Sequence, residues 1–237
     1  MMGASCTQFR TVCDDRRSKA SLYAREDGRR YDAAMDRELR ELFGVIVKRD
    51  AKLLLRSLGS NPALAHAALR VGASRGAEKD TFLTEIMHYL YGGDTALHVA
   101  AAAHWPEGVK RLLMAGANVS ARNRHWQTPL HYACAGGPGL ADWNPDAQAA
   151  AIQALLDAGA DPNVTAKGEV TPLHTAVRNR CSLAVQTLLR GGANPALRTT
   201  RGSTPAHLAT VTSGRGGSGS AQARAEQAKI IALFQAE

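Results

Sequence analysis

Aromatic residues are scarce in this chain: three Trp, five Tyr and four Phe among 237 residues. Hydrophobic residues still make up 45%, so a core is expected from helices that pack through Ala and Leu. No run of 18 or more apolar residues exists, which excludes a transmembrane helix. The stretch from Met1 to Ala20 has no apolar segment of the kind a secretory leader carries. The four cysteines, Cys6, Cys13, Cys134 and Cys181, have no sequence-close partners. A reduced, cytoplasmic protein is the simplest reading. The chain also lacks a CxxC motif, a paired-carboxylate pocket and any Ser/His/Asp arrangement, so neither an enzyme nor a cofactor is expected.

Charge of one sign prevails. The formal net charge is +8 and the pI is near 9.6, a balance that favours acidic proteins, nucleic acid or anionic membrane as partners. An Arg-rich, Lys-poor, Ala/Gly-rich composition also follows from a GC-rich bacterial genome without any purpose in binding. Charge alone therefore names no partner.

What is present is a repeat. Thr95-Ala96-Leu97-His98 recurs as Thr128-Pro129-Leu130-His131, Thr171-Pro172-Leu173-His174 and Thr204-Pro205-Ala206-His207, at steps of 33, 43 and 33 residues. A near-fixed step of this length marks stacked supersecondary units. Each tetrapeptide reads as a helix start. The threonine hydroxyl can cap an orphan backbone N–H, and the proline has a pre-set φ and no N–H to waste. A second helix follows, with apolar residues at i, i+3 and i+4: Val109, Leu112, Leu113; Ile152, Leu155, Leu156; Val185, Leu188, Leu189; Ile230, Leu233, Phe234. Three of these helices stop at glycine (Gly116, Gly159, Gly191-Gly192), the residue that supplies a left-handed cap. Ala-Asn or Ala-Asp then reads as a turn.

The unit resembles the ankyrin repeat over about residues 88–237. The Thr-Pro-Leu-His tetrapeptide, the Leu-Leu pair and the Gly-Ala-Asp/Asn turn all fall at the family's offsets. The departures are Trp126 and Glu169, where glycine is usual two residues before the threonine, Ala96 for proline and Ala206 for leucine. The resemblance implies an all-α repeat solenoid: helix-turn-helix units joined by short β-hairpin-like loops, commonly monomeric, binding other proteins rather than catalysing.

Around the repeats, residues 1–37 read as a flexible tail of mixed charge. Residues 38–87 read as an N-terminal capping unit followed by an insertion. Leu39, Leu42, Phe43 and Ile46 form a helical stripe, and Asp50 starts a second helix. Val71-Gly72-Ala73 mimics a repeat's Gly-Ala turn. The apolar-aromatic stretch from Thr81 to Tyr91 is expected to be a helix across the first hairpin. Two repeats carry enlarged inter-helix turns, at 136–146 and 212–221. The first ends in Asn144-Pro145-Asp146, a cap and proline that restart the helix. The second, Gly-Ser-rich at 214–220, lacks the lysine and the preceding strand of a phosphate loop. A small-molecule site at these turns is the least favoured role.

The repeated histidines, His98, His131, His174 and His207, do not read as metal ligands. They sit on stacked helices about 8–10 Å apart, whereas zinc needs its ligands about 2 Å away. The resemblance implies instead that Thr95, Thr128, Thr171, Thr204 and these histidines are structural, each histidine bonding the backbone between repeats. It also implies a concave partner surface of hairpin tips and first-helix ends: Arg124, His125 and Gln127, Lys167, Arg178 and Asn179, Thr200 and Arg201. Trp126 is expected at one hairpin tip and Tyr91 at the same place one repeat earlier. Trp, Tyr and Arg dominate interface energies. The partner expected is another protein, and the basic balance of the chain suits an acidic one. Nucleic acid or another polyanion is the alternative, and no membrane is expected.

Overall fold

The computed structural model describes residues 33–73, 81–138, 142–211 and 220–235. Most of the tail, and the Gly-Ser turn from residue 212 to 219, lie outside the described residues. Two units divide the chain, Met1–Ala34 and Met35–Glu237, and the second holds the repeats.

Helix α1 (Ala33–Val47) begins inside the stretch read as tail. The reason is Asp36, which is buried and accepts hydrogen bonds from the backbone N–H groups of Arg70 and Val71 at 3.1 and 3.4 Å. Leu39, Leu42, Phe43 and Ile46 are fully buried along one face, as their spacing requires. Helix α2 (Ala51–Ser60) starts at Asp50, whose carboxylate accepts from Lys52 and Leu53 N–H. A 3₁₀ turn, Pro62–Ala65, follows.

The stretch from Thr81 to Tyr91 is not a helix. Strands β1 (Phe82–Leu83) and β2 (His88–Tyr89) pair antiparallel around a 3₁₀ turn, with Met87 in the left-handed region at φ 49°. The Phe82 and Tyr89 rings meet at 4.7 Å. Aromatic residues suit a pleated surface, and the backbone finds better partners in a hairpin: Leu90 N–H donates to the Thr81 carbonyl, and Ala73 N–H to the Leu90 carbonyl. Gly72 is not a left-handed cap either. Its Cα packs against the backbone of Tyr91 and Gly92, where any Cβ would collide.

Four helix pairs follow: α3 (Ala96–Ala102) and α4 (Pro106–Met114), α5 (Pro129–Ala133) and α6 (Pro145–Asp157), α7 (Pro172–Arg178) and α8 (Ser182–Arg190), α9 (Pro205–Thr210) and α10 (Ala221–Gln235). First helices stack in the order α3, α5, α7, α9, and second helices in the order α2, α4, α6, α8, α10. The chain forms an all-α repeat stack with a single two-stranded sheet among the described residues. First helices bury small residues such as Ala100, Ala101, Ala133 and Ala176; second helices bury Val109, Leu112, Ile152, Leu155, Val185, Leu188 and Ile230. Gly116, Gly159 and Gly192 end three second helices at φ 86–88°.

In both repeats with enlarged turns, a glutamine of the second helix bonds the end of the first. Gln148 donates to the carbonyls of Ala133 and Ala135 at 3.0 and 3.1 Å, and Trp143 donates its indole N–H to Gln148. Gln227 donates to the carbonyls of Ala209 and Val211. In both repeats the second helix thus satisfies carbonyls left bare at the end of the first. Asn144 caps α6 through Ala147 N–H. Helix α8 is capped from another repeat: Glu226 on α10 accepts from Ser182 N–H and hydroxyl at 3.0 and 2.5 Å.

Candidate functional site

Each repeat is preceded by a hairpin, and the hairpins before the second, third and fourth repeats share one bonding scheme. The residue five before the capping threonine donates its N–H to the carbonyl of the residue just before it. Asn123 donates to Gln127 at 3.1 Å, Ala166 to Val170 at 2.9 Å and Thr199 to Ser203 at 3.0 Å. The residue two before the threonine closes the tip in the left-handed region. Gly93, Trp126, Glu169 and Gly202 have φ of 92°, 62°, 56° and 77°. Glycine suits that conformation, and Trp126 and Glu169 adopt it against steric cost.

Histidines weld these hairpins to the repeat before. His98 Nε2 lies 3.1 Å from the Gln127 carbonyl, His131 Nε2 3.0 Å from that of Val170, and His174 Nε2 3.1 Å from that of Ser203. Their Nδ1 atoms accept from the N–H of Thr95, Thr128 and Thr171 at 3.2–3.3 Å. Nε2 must therefore carry the proton it donates, and both ring nitrogens are engaged. Burial drives His98 and His131 down to about 4, against the weaker pull of the carbonyl bonds; it lowers His174 as well. The rings stay neutral at physiological pH, as this bonding requires. His207 is exposed, and its backbone N–H donates to Thr204 Oγ1.

The hairpins are also bonded to one another. Arg124 N–H donates to the Gly92 carbonyl at 2.8 Å, Lys167 to His125 at 3.1 Å and Thr200 to Gly168 at 3.0 Å. The result is a ladder of backbone bonds from the first tip to the fourth. Its rungs fix the spacing of the side chains that project from it.

Tyr91, Arg124, Lys167 and Thr200 hold one equivalent position, four before each capping threonine. Tyr91 is thus the counterpart of Arg124, not of Trp126; Gly93 stands where Trp126 stands. Tyr91 is half-buried: the Arg124 guanidinium lies 5.0 Å from its ring centre, and His125 meets its edge at 4.5 Å. Trp126 is 57% exposed, with the Arg122 guanidinium 5.3 Å from its ring centre. Arg124, Lys167, Thr200 and Arg201 are exposed; His125 and Gln127 are half-buried. Burial lowers the His125 pKa, and the charges of Arg124 and Lys167 lower it further.

Arg178 and Asn179 lie away from the tips, at the end of α7. Asn179 is not free for a partner. Its amide donates to the Cys134 carbonyl at 3.0 Å, bracing the third repeat on the second, because the short α5 leaves that carbonyl bare.

Three residues of the row escape sequence reasoning. Arg122 lies beside Trp126. Arg198 bonds the Gly202 carbonyl across the fourth tip. Asn123 is buried; its Oδ1 accepts from His125 and Gln127 N–H, and its amide donates to Asp94 and Tyr132. The signal for Asn123 was a polar residue five before the threonine, a place Thr199 repeats.

These features define a class, and comparison with known proteins agrees. Family models described as Ankyrin repeats (many copies) match residues 91–139 and 155–209, and one described as Ankyrin repeat matches residues 125–167. The chain is an ankyrin-repeat protein. Ankyrin repeats are in general protein–protein interaction modules, and the family is typically non-catalytic. Ankyrin repeat and SOCS box protein 16 of Mus musculus is 43% identical over 89 residues, 37% of this chain and 19% of its own length. The protein of that name from Homo sapiens is 39% identical over 90 residues, with the same shares. The match thus spans about a fifth of these curated relatives. Among the described residues, no helix is long and apolar enough to cross a membrane.

Proposed function

We propose that the chain is a non-catalytic scaffold or adaptor, and that it holds another protein against the row of hairpin tips and the adjoining ends of the first helices. The observation that carries this reading is the ladder. Backbone bonds between Gly92 and Arg124, His125 and Lys167, and Gly168 and Thr200 set exposed Arg, Lys and Trp side chains on a rigid frame. A pre-ordered surface of this composition loses little entropy on binding. A cytoplasmic location fits the buried, unpaired thiols of Cys134 and Cys181.

The test is a pull-down from the source's own lysate with wild type and with Arg124→Glu/Trp126→Ala/Arg201→Glu, after circular dichroism shows both folded. A protein captured by wild type and lost from the variant supports the reading. An unchanged catch refutes it. A second reading, polyanion binding through the same face, is favoured by the net charge of +8. It requires an affinity for nucleic acid that falls steeply with salt.

A further inference from the structure

The charge along the row is uneven. Over the tips at 122–127, 165–170 and 198–203 stand five exposed cations, Arg122, Arg124, Lys167, Arg198 and Arg201, and one exposed carboxylate, Glu169. Among the described residues the ion pairs are Arg111 with Glu107 and Lys229 with Glu226, so none of the five meets a carboxylate partner there. Two are held in place by stacking, Arg122 on Trp126 and Arg124 on Tyr91. Each spends one donor within the chain, Arg122 on the Thr165 carbonyl at 3.4 Å and Arg124 on His125 Nε2 at 3.3 Å, and stacking on a ring face uses up none of the others. The His125 pKa is lowered first by burial and then by the charges of Arg124 and Lys167 beside it.

We propose that the row receives an acidic, extended segment of a partner protein, with an apolar side chain on Trp126 and carboxylates at Arg124, Lys167 and Arg201. The inference rests on the hairpin-row reading above and names the partner's chemistry. Stacked repeats are about 8–10 Å apart, and an extended chain advances about 3.3 Å per residue. One tip therefore meets roughly every third residue of the segment. Glu169 decides between polyanions. It stands exposed at the third tip, between Lys167 and the cations of the fourth. A nucleic acid strand, charged at every residue, must set a phosphate near it. A peptide can place a neutral or basic residue there.

The experiment is selection of random decapeptides displayed on phage against the full chain. Wild type is compared with Arg124→Glu/Lys167→Glu and with Trp126→Ala, each shown folded by circular dichroism. The expected pool is enriched in Asp and Glu, loses about tenfold in affinity on the charge-reversed protein, and loses a similar factor when its own acids become amides. A pool without acid enrichment that still weakens on Trp126→Ala overturns the acidic partner and leaves the hairpin row standing. A pool that binds all three proteins alike overturns both. An empty selection overturns the proposal, as does an oligothymidylate that binds wild type more tightly than the selected peptides.

Discussion

The hydroxyl of Tyr132 lies 2.8 and 2.9 Å from the two carboxylate oxygens of Asp94. The bond joins helix α5 of the second repeat to the hairpin that precedes the first. Asn123 donates to the same carboxylate at 3.0 Å and to the Tyr132 oxygen at 2.9 Å. Burial pushes the Asp94 carboxyl above its usual range, opposed by the bonds from Tyr91 N–H, Asn123 and Tyr132. A buried carboxylate of this kind is tolerable only while its donors are in place. Tyr132→Phe removes that donor and the oxygen that Asn123 bonds, and leaves the ring to pack as before. The expected loss of stability is about 1–3 kcal/mol, read as a lower urea midpoint. An unchanged midpoint would show that the network contributes nothing net.

The repeated histidines should not be equivalent. His131 is buried and bonds both its own threonine and the Val170 carbonyl of the next hairpin. His131→Ala leaves that carbonyl without one of its two donors and removes half of a capping box. A cost of about 2 kcal/mol or more is expected. His207 is exposed, and His207→Ala should stay within about 0.5 kcal/mol. Equal losses in chemical denaturation of the two variants would contradict the inter-repeat role.

Acid should loosen the stack over a defined window. His98 and His131 are held down to about 4 in the folded chain, chiefly by burial, against an ordinary value of 6.5. The unfolded chain thus takes up these protons first. Their contribution is fully present above pH 6.5 and is lost as pH falls from there towards 4. The slope is about 1.4 kcal/mol per pH unit for each histidine within the window. Melting temperatures measured from pH 8 to 4 should hold steady and then drop below 6.5. His98→Gln should flatten that drop by one histidine's share; the wild-type slope in the variant would argue against the assignment.

Backbone strain at the tips gives a further test. Glu169 takes φ 56° where Gly202, at the equivalent place, takes 77°. Glu169→Gly should be neutral or stabilise by up to about 1 kcal/mol, since relief of strain competes with a freer unfolded chain. Gly202→Ala should destabilise by about 1 kcal/mol. In thermal denaturation only Gly202→Ala should lose stability, and a comparable loss in both variants would refute the equivalence of the two tips.

The sequence by itself determined the repeat unit. The threonine caps, the proline starts, the i, i+3, i+4 stripes and the terminal glycines each act within one or two helical turns, so their chemistry can be read from neighbours in the chain. The family followed from their period. Tertiary structure decided the rest, because the deciding partners lie far apart in sequence. Thr81 to Tyr91 chose a hairpin over a helix when residue 73 offered Leu90 a backbone partner. Asn179 was drawn off the candidate surface by a carbonyl 45 residues away, at Cys134. Asp94 and Tyr132, 38 residues apart, became one buried network. Tyr91 and Arg124 came to stack because Arg124 N–H bonds the Gly92 carbonyl and brings one tip beside the next. A period states that units stack. Which side chains meet across each joint is set by the register of backbone bonds between them, and that register exists only in the folded chain.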